Sequence, residues 1–175
     1  MKNSYRKLTY AALYLALAMV LPFITGQIPE IGQMLSPMHI PVLLCGFACG
    51  PAWGCAVGLI APILRSLWVG MPAMYPNAVS MSIELATYGI LSGVLYRRLP
   101  KKTWAIYASL ILAMIGGRLV WGAARYILAG LSGSEFPFSA FLAGAVLNAV
   151  PGIVLHIVLI PVLVIALQKA KLTLD

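Results

Sequence analysis

The sequence predicts an all-α integral membrane protein, a bundle of six transmembrane helices with its N and C termini in the cytoplasm. Of the 175 residues, 62% are hydrophobic and only 9% are charged, whereas an average soluble domain is about 25% charged. The mean hydropathy is +0.96. So few charges cannot cover a water-facing surface. Because each membrane span needs roughly 20 residues, we predict one transmembrane domain over residues 1–175.

Six apolar segments can be drawn along the chain. They cover residues 8–25, 37–50, 52–69, 74–96, 103–129 and 139–167. The second segment is short, and only Gly50-Pro51 separates it from the third, a pair that ends one helix and begins the next. The basic start, the apolar run and the triplet Ala16-Leu17-Ala18 resemble a signal peptide. The apolar run continues to Ile24, which favours an uncleaved first span.

The basic residues sort to one side of a six-span topology. Nine lie at the ends that such a topology places together: Lys2, Arg6, Lys7, Arg97, Arg98, Lys101, Lys102, Lys169 and Lys171. The opposite loops, about 26–36, 70–73 and 130–138, carry Glu30 and Glu135 and contain no Lys or Arg. Because cytoplasmic loops are enriched in Lys and Arg, the basic side is predicted to be the cytoplasm. A five-span or seven-span count would break this sorting.

Two features of the composition have ordinary interpretations. The net charge of +8 does not indicate a nucleic-acid partner, because the basic residues lie at the membrane edges and form no basic face. Cys45, Cys49 and Cys55 lie in apolar, glycine-rich sequence. Although Cys45 and Cys49 share a helix face, no His or carboxylate completes a ligand set nearby in sequence. We interpret the cysteines as small packing residues and predict no metal site.

The loop between the first two spans is unusually apolar. Residues 26–37 read GQIPEIGQMLSP, with two prolines and the apolar side chains Ile28, Ile31, Met34 and Leu35. We predict that this loop folds over the outer mouth of the bundle as a lid. An ordinary exposed connector is the alternative.

Four ionisable residues remain within the apolar segments at depth: Arg65, Arg118, Arg125 and Glu84. Such charges are costly in a bilayer, so they usually face the protein interior or a wet cavity and mark a functional path. At about 1.5 Å of rise per residue, the three arginines fall in the outer half and Glu84 falls near the middle of its span. Since Glu84 can pair with only one arginine, two positive charges are left over.

Five further residues are expected at a similar depth. They are Trp121, which shares a helix face with Arg118 and Arg125, Asn148 on span 6, His39 and Tyr75 at the outer ends of spans 2 and 4, and Asn77 just inside.

Together these nine residues predict an outward-open pocket for a small anion, because the guanidinium fork of arginine suits a carboxylate or phosphate. The alternative is structural: Glu84 pairs with Arg65 or Arg118, and Arg125 extends to the outer headgroups. His156, in the inner half of span 6, is interpreted as a lone packed histidine, far in depth from His39.

The chain lacks the usual motifs of membrane enzymes and of self-sufficient transporters. The sequence contains no GxxxxGK[ST], HExxH or GxSxG stretch, no chain of buried carboxylates, and no obvious inverted repeat. The two histidines, placed far apart in depth, do not indicate a catalytic pair. We therefore predict a binding protein that is not an enzyme, carries no cofactor and has no energy source of its own.

Span 1 carries small residues at a spacing that allows close helix contact. Ala12 and Ala16 lie four residues apart in TYAALYLALAMV, and Ala18 follows. Small residues at this spacing let another helix approach closely. Packing within the bundle would produce the same pattern, so periodicity leaves both interpretations open.

These features resemble the substrate-binding S components of energy-coupling factor (ECF) vitamin transporters. The resemblance covers essentially the whole chain and rests on the AxxxA of span 1, six spans in 175 residues, the outer loop between spans 1 and 2, and the basic inner loop between spans 4 and 5. The stretches QMLSPMHIPVLLCGFACGPAWGCAVGLIAPILRSLWVGMPAMYP and ELATYGILSGVLY are most similar to the pantothenate-specific branch.

The resemblance implies a function and a set of partners. An S component captures a vitamin on the outer side of a prokaryotic cell membrane and docks on a coupling transmembrane subunit through the AxxxA face, here Ala12 and Ala16. Two cytoplasmic ATPase subunits use ATP to topple the module and release the vitamin inside. Its surroundings would be membrane lipid, with no nucleic acid involved.

Other functions remain open at this point. One is an S component for another vitamin, such as riboflavin, folate or a cobalamin-like compound, although riboflavin would favour aromatic stacking over surplus arginine. Another is an independent secondary transporter or channel, which would take up its substrate without any ATPase. A membrane enzyme is a third, and it would need a catalytic pair at one depth.

Overall fold

The computed structural model describes residues 2–24 and 34–173, in which the membrane segments are helical. The α-helices are α1 (Lys2–Ile24), α2 (His39–Cys49), α3 (Pro51–Val69), α4 (Val79–Arg98), α5 (Thr103–Leu131), α6 (Phe138–Leu142) and α7 (Val150–Lys169). Two π-helical turns, Met74–Ala78 and Ala143–Leu147, precede α4 and α7. All six predicted apolar segments are therefore helical over most of their length.

Among the residues that the structure describes, five helical stretches are long and apolar enough to cross a membrane. They are Ser4–Ile24, Pro51–Val69, Met74–Arg98, Thr103–Leu131 and Phe138–Lys169. Helix α2 is apolar but has only 11 residues, which extend about 16 Å at the usual rise, half of a hydrocarbon core of about 30 Å. The six-span count and the cytoplasmic placement of both termini remain predictions.

The chain reverses sharply between α2 and α3. Gly50 has φ 97°, a conformation that a side chain would strain, and Pro51 begins the next helix, where its missing N–H costs nothing. At the far end of α3, Gly70 closes the helix with φ 75°. Gly50 and Pro51 thus explain why one apolar run of the sequence folds into two helices that pack on each other.

Glycines bring α2, α3 and α4 into backbone contact. A Cβ atom built on Gly54 would lie 2.9 Å from the Cα atoms of both Gly46 and Gly89, and one built on Gly58 would lie 2.5 Å from the carbonyl of Leu85. No side chain fits at these distances. We call this contact, formed by Gly46, Gly54, Gly58, Gly89 and Gly93, the glycine seam.

The end of the bundle that carries the basic loop is closely packed. Phe47 of α2 is fully buried and meets the ring of Tyr96 edge-on, with centroids 5.2 Å apart. The Tyr96 hydroxyl accepts a hydrogen bond from Gln168 of α7. The ammonium of Lys101 lies 3.7 Å from the centroid of the Tyr96 ring. These contacts tie α2, α4, α7 and the basic loop together at one level.

Helix α1 packs on α2 and α3 through only one of its faces. Ala11, Tyr14 and Ala18 are buried against the bundle, whereas Ala12 and Ala16 are exposed on the opposite side. Packing within the bundle therefore does not account for the AxxxA pattern, which leaves this face open to another helix.

Two smaller predictions can be placed on the structure. Cys45 and Cys49 are buried in the core, in agreement with their interpretation as packing residues. Most of the predicted lid, residues 26–33 with Ile28 and Ile31, lies outside the described residues. The next described residue, Met34, lies against Gly152 of α7. A Cβ atom built on that glycine would lie 2.5 Å from the Met34 carbonyl oxygen.

Candidate ligand-binding cavity

A cavity of about 700 Å³ occupies the end of the bundle opposite the basic loop. Ligand pockets for small molecules usually measure about 300–1,000 Å³. Eight of the nine predicted site residues line it: Arg65, Arg118, Arg125, Glu84, Asn148, Trp121, Asn77 and His39. Of these, Asn77 and Asn148 are exposed, so the cavity communicates with the surface of the protein.

Tyr75 is the predicted site residue that does not line the cavity. Its backbone is extended (φ −117°, ψ 134°) within the turn before α4. Its hydroxyl donates a hydrogen bond of 2.5 Å to the carbonyl oxygen of Leu128 on α5, and 46% of the residue is exposed. This position gives no support to the predicted contact between Tyr75 and a ligand.

The deep end of the cavity is formed by His39, Glu84 and Arg118. On α2, α4 and α5 respectively, each is the lining residue nearest to the end of the bundle that carries the basic loop. Arg118 Nη1 lies 3.2 Å from Glu84 Oε1, and the Tyr88 hydroxyl donates to the same oxygen at 3.2 Å. Glu84 is 2% exposed. A buried carboxylate is tolerated when it is paired and hydrogen-bonded in this way. The structure therefore assigns Glu84 to Arg118 rather than to Arg65.

The two histidines lie together, and the prediction that they are far apart in depth is wrong. The ring centroids of His39 and His156 are 5.9 Å apart and the rings are inclined by 25°. His156 is therefore not isolated, because it packs on a second histidine. The error arose from placing His39 at the outer surface. Because α2 is only 11 residues long, its first residue lies near the middle of the bundle, level with Glu84 and His156.

Arg65 connects the cavity to α1. It is 4% exposed, and its Nη1 donates a hydrogen bond of 3.0 Å to the carbonyl oxygen of Met19. Its guanidinium carbon lies 5.2 Å from the centroid of the Phe23 ring. Since a guanidinium has five N–H donors, Arg65 retains others for a ligand.

Arg125 lies nearer the end of α5 that is remote from the basic loop. Its Nη1 donates a hydrogen bond of 2.6 Å to Asn77 Oδ1, and its guanidinium carbon lies 5.5 Å from the centroid of the Phe136 ring. Trp121 contacts the same ring edge-on, with centroids 5.9 Å apart. The prediction that Arg118, Trp121 and Arg125 share a face is confirmed, because all three line the cavity.

The lining of the cavity is positively charged. It includes three arginines and, among the residues that the structure describes, one carboxylate, that of Glu84. Glu84 pairs with Arg118, while Arg65 and Arg125 are hydrogen-bonded to neutral acceptors, a carbonyl and an amide. Two cationic groups therefore remain in the lining without a carboxylate partner in this part of the chain.

Several lining residues were missed by sequence reasoning. Helical spacing from Asn77 and Glu84 could have found Ser80 and Met81 on α4, which line the same face. Others lie in segments without periodicity, and no sequence signal marks them: Ser36, Pro37, Met38, Met71, Pro72 and Phe136.

The described residues contain no group of three or more His, Cys, Asp or Glu side chains that could hold a metal ion.

The fold and the charged cavity define a multi-pass membrane protein with a binding site for a small molecule. The family model of the ECF transporter substrate-specific component matches residues 6–164, and the chain belongs to this family. It is thus the substrate-binding subunit of a transporter that works with a transmembrane coupling subunit and ATPase subunits. No curated protein and no solved structure matches the chain.

Proposed function

We propose that this chain captures pantothenate from outside a prokaryotic cell and delivers it through the membrane together with its coupling and ATPase subunits. The observation that carries the proposal is the pair Arg65 and Arg125, two guanidinium groups in the lining of one cavity that are bonded only to neutral acceptors among the described residues.

The chemistry of pantothenate matches this lining. The molecule has one carboxylate, one amide and two hydroxyls. A carboxylate accepts two parallel hydrogen bonds from a guanidinium, and Arg65 and Arg125 offer such donors. Asn77 and Asn148 supply amide donors and acceptors for the uncharged groups. A ligand of this size also falls within the range that a cavity of about 700 Å³ accommodates.

A matched pair of ligands tests the role of the two arginines. Pantothenol carries a hydroxymethyl group in place of the carboxylate and is otherwise the same molecule. We expect the purified protein in detergent to prefer pantothenate over pantothenol in calorimetry. In Arg65→Gln and Arg125→Gln this preference should fall by about tenfold or more each, since hydrogen bonds to charged groups contribute about 1.5–3 kcal/mol.

Arg98→Gln is the control, because Arg98 is exposed at the opposite end of the bundle and should keep the full preference. Equal affinity for pantothenate and pantothenol in the unmodified protein would overturn the anion site. Riboflavin and folate are measured beside them. Tight binding of one of these, without pantothenate, would keep the family and replace the proposed substrate.

The exposed face of α1 supports docking on the coupling subunit. Ala12 and Ala16 are exposed and leave room for a second helix to approach closely. We propose that this contact holds the chain on the coupling subunit while ATP hydrolysis drives the toppling that releases the vitamin.

Replacing both alanines with leucine should leave pantothenate affinity unchanged and abolish ATP-dependent uptake in proteoliposomes that contain all subunits. Ala123→Leu adds the same bulk to an exposed position on α5 and should keep uptake. Normal uptake by the Ala12→Leu/Ala16→Leu protein would refute docking through this face. Uptake by this chain without its partners would instead favour an independent secondary transporter.

A further inference from the structure

In the described ranges, most of the buried polar atoms without a hydrogen-bond partner belong to His39, at the deep end of the cavity, and to the histidine stacked on it. Within the described part of the chain, four buried side-chain nitrogen or oxygen atoms have no hydrogen-bond partner: His39 Nδ1, His39 Nε2, His156 Nε2 and Ser109 Oγ. Three of the four belong to the stacked histidines. Burying a polar group without a partner is costly, so each such atom in a folded protein calls for an explanation.

The surroundings hold the His39 ring in one orientation. One of its neighbours is the stacked ring of His156, and another is Tyr88, which meets it edge-on with centroids 5.1 Å apart. His39 lines the cavity, whereas His156 does not. Both are 3% exposed. His39 is thus a rigid ring that reaches the cavity, and His156 packs against it.

The charges around His39 select the kind of group that can meet it. Its Nε2 lies 3.5 Å from Glu84 Oε1, an oxygen that already accepts from Tyr88 and contacts Arg118. A second carboxylate placed here would be repelled by Glu84. Each imidazole nitrogen either donates or accepts a hydrogen bond, and a hydroxyl group, which can do both, complements it in either case.

We infer that His39 is the specificity-determining residue of the cavity and hydrogen-bonds a hydroxyl at the uncharged end of the ligand, while the carboxylate lies with Arg65 and Arg125. This inference rests on the proposed function, because it takes the ligand to be a small carboxylate with a polar, uncharged end. His156 is a positioning residue, which keeps the His39 ring in place through the stack.

Analogues of pantothenate that each lack one of its two hydroxyls test the inference. In the unmodified protein, at least one of the analogues should bind about tenfold to a hundredfold more weakly than pantothenate, since a buried group is then left unpaired. In His39→Leu, pantothenate and that analogue should bind equally. His39→Gln keeps a donor and an acceptor and should restore part of the discrimination.

Three further variants separate this role from a general effect of buried polar groups. Ser109→Ala removes the fourth unpartnered atom, which lies outside the cavity lining, and should keep the full discrimination. His156→Ala should reduce the difference in affinity between pantothenate and the deoxy analogue. His156→Phe, which retains a stacking ring, should restore that difference.

The outcomes distinguish this inference from the proposed function. If the unmodified protein binds pantothenate but the His39→Leu protein still discriminates against the deoxy analogue to the same degree, the His39 subsite is refuted and the proposed substrate stands. If both analogues bind the unmodified protein as tightly as pantothenate, the subsite is likewise refuted. If the unmodified protein does not bind pantothenate, the proposed substrate fails, and the hydroxyl assigned to His39 fails with it.

Discussion

The two halves of the bundle use the same helices in opposite ways. Near the basic loop, α2, α3 and α4 touch backbone to backbone along the glycine seam, where no Cβ would fit. At the other end of the bundle there is no α2, because its first residue is His39. The cavity lies at this end, lined by residues of α3, α4 and α5 and by Ser36, Pro37 and Met38 just before α2.

This difference explains where polar groups can be kept. The glycine seam leaves no room for a side chain, let alone a ligand, so it can only position the helices. The cavity end gathers arginine, glutamate, asparagine and histidine around open space. A short helix combined with a tight seam thus leaves room for the candidate binding site inside the bundle.

The largest effect is expected where the two halves meet, at the buried pair of Glu84 and Arg118. Glu84→Leu would leave Arg118 without its carboxylate, and breaking one partner of a buried pair costs about 3–5 kcal/mol. The free energy of unfolding in detergent should fall by that amount. The double variant Glu84→Leu/Arg118→Met removes both charges and should recover most of the loss. Equal stability of the two variants would show that the pair is solvated.

A smaller loss is expected from the glycine seam itself. A Cβ on Gly89 would lie 2.2 Å from the backbone carbonyl carbon of Gly54, so Gly89→Ala must push α3 and α4 apart, and overpacking of this kind costs about 1–3 kcal/mol. Gly130→Ala, where nothing lies within 4 Å of the added atom, is the matched control. If Gly89→Ala unfolds at the same temperature as Gly130→Ala, or at a higher one, the close backbone contact at the glycine seam is contradicted.

The smallest effect is expected at Tyr75. Its substitution tests whether the hydroxyl only stabilises the fold or also contacts the ligand. Tyr75→Phe removes the hydrogen bond to the Leu128 carbonyl, and such a bond contributes about 0.5–1.5 kcal/mol. Stability should fall by no more than that, and pantothenate affinity should not change. A large loss of affinity would place the Tyr75 hydroxyl at the ligand after all.

Much of the fold could be predicted from the sequence alone. The six apolar segments were correct to within a few residues, because hydrophobicity in a bilayer and breaks such as Gly50-Pro51 are local properties. The shared face of Arg118, Trp121 and Arg125 followed from the period of the α-helix. The excess of arginine over carboxylate in the lining followed from counting the charged residues within the apolar segments. Such residues are costly in a bilayer and usually face the protein interior or a cavity.

Only the tertiary structure decided how the helices are offset against one another. Rise and period give the position of a residue within its own helix, but the depth of His39 depends on where the 11-residue α2 is held by the glycine seam. The same offset brings His39 beside His156. Packing of α4 on α5 decides that Glu84 pairs with Arg118 rather than with Arg65. The turn before α4 directs the Tyr75 hydroxyl to the Leu128 carbonyl. These contacts join residues distant in sequence, so packing between helices, which no local pattern encodes, determines them.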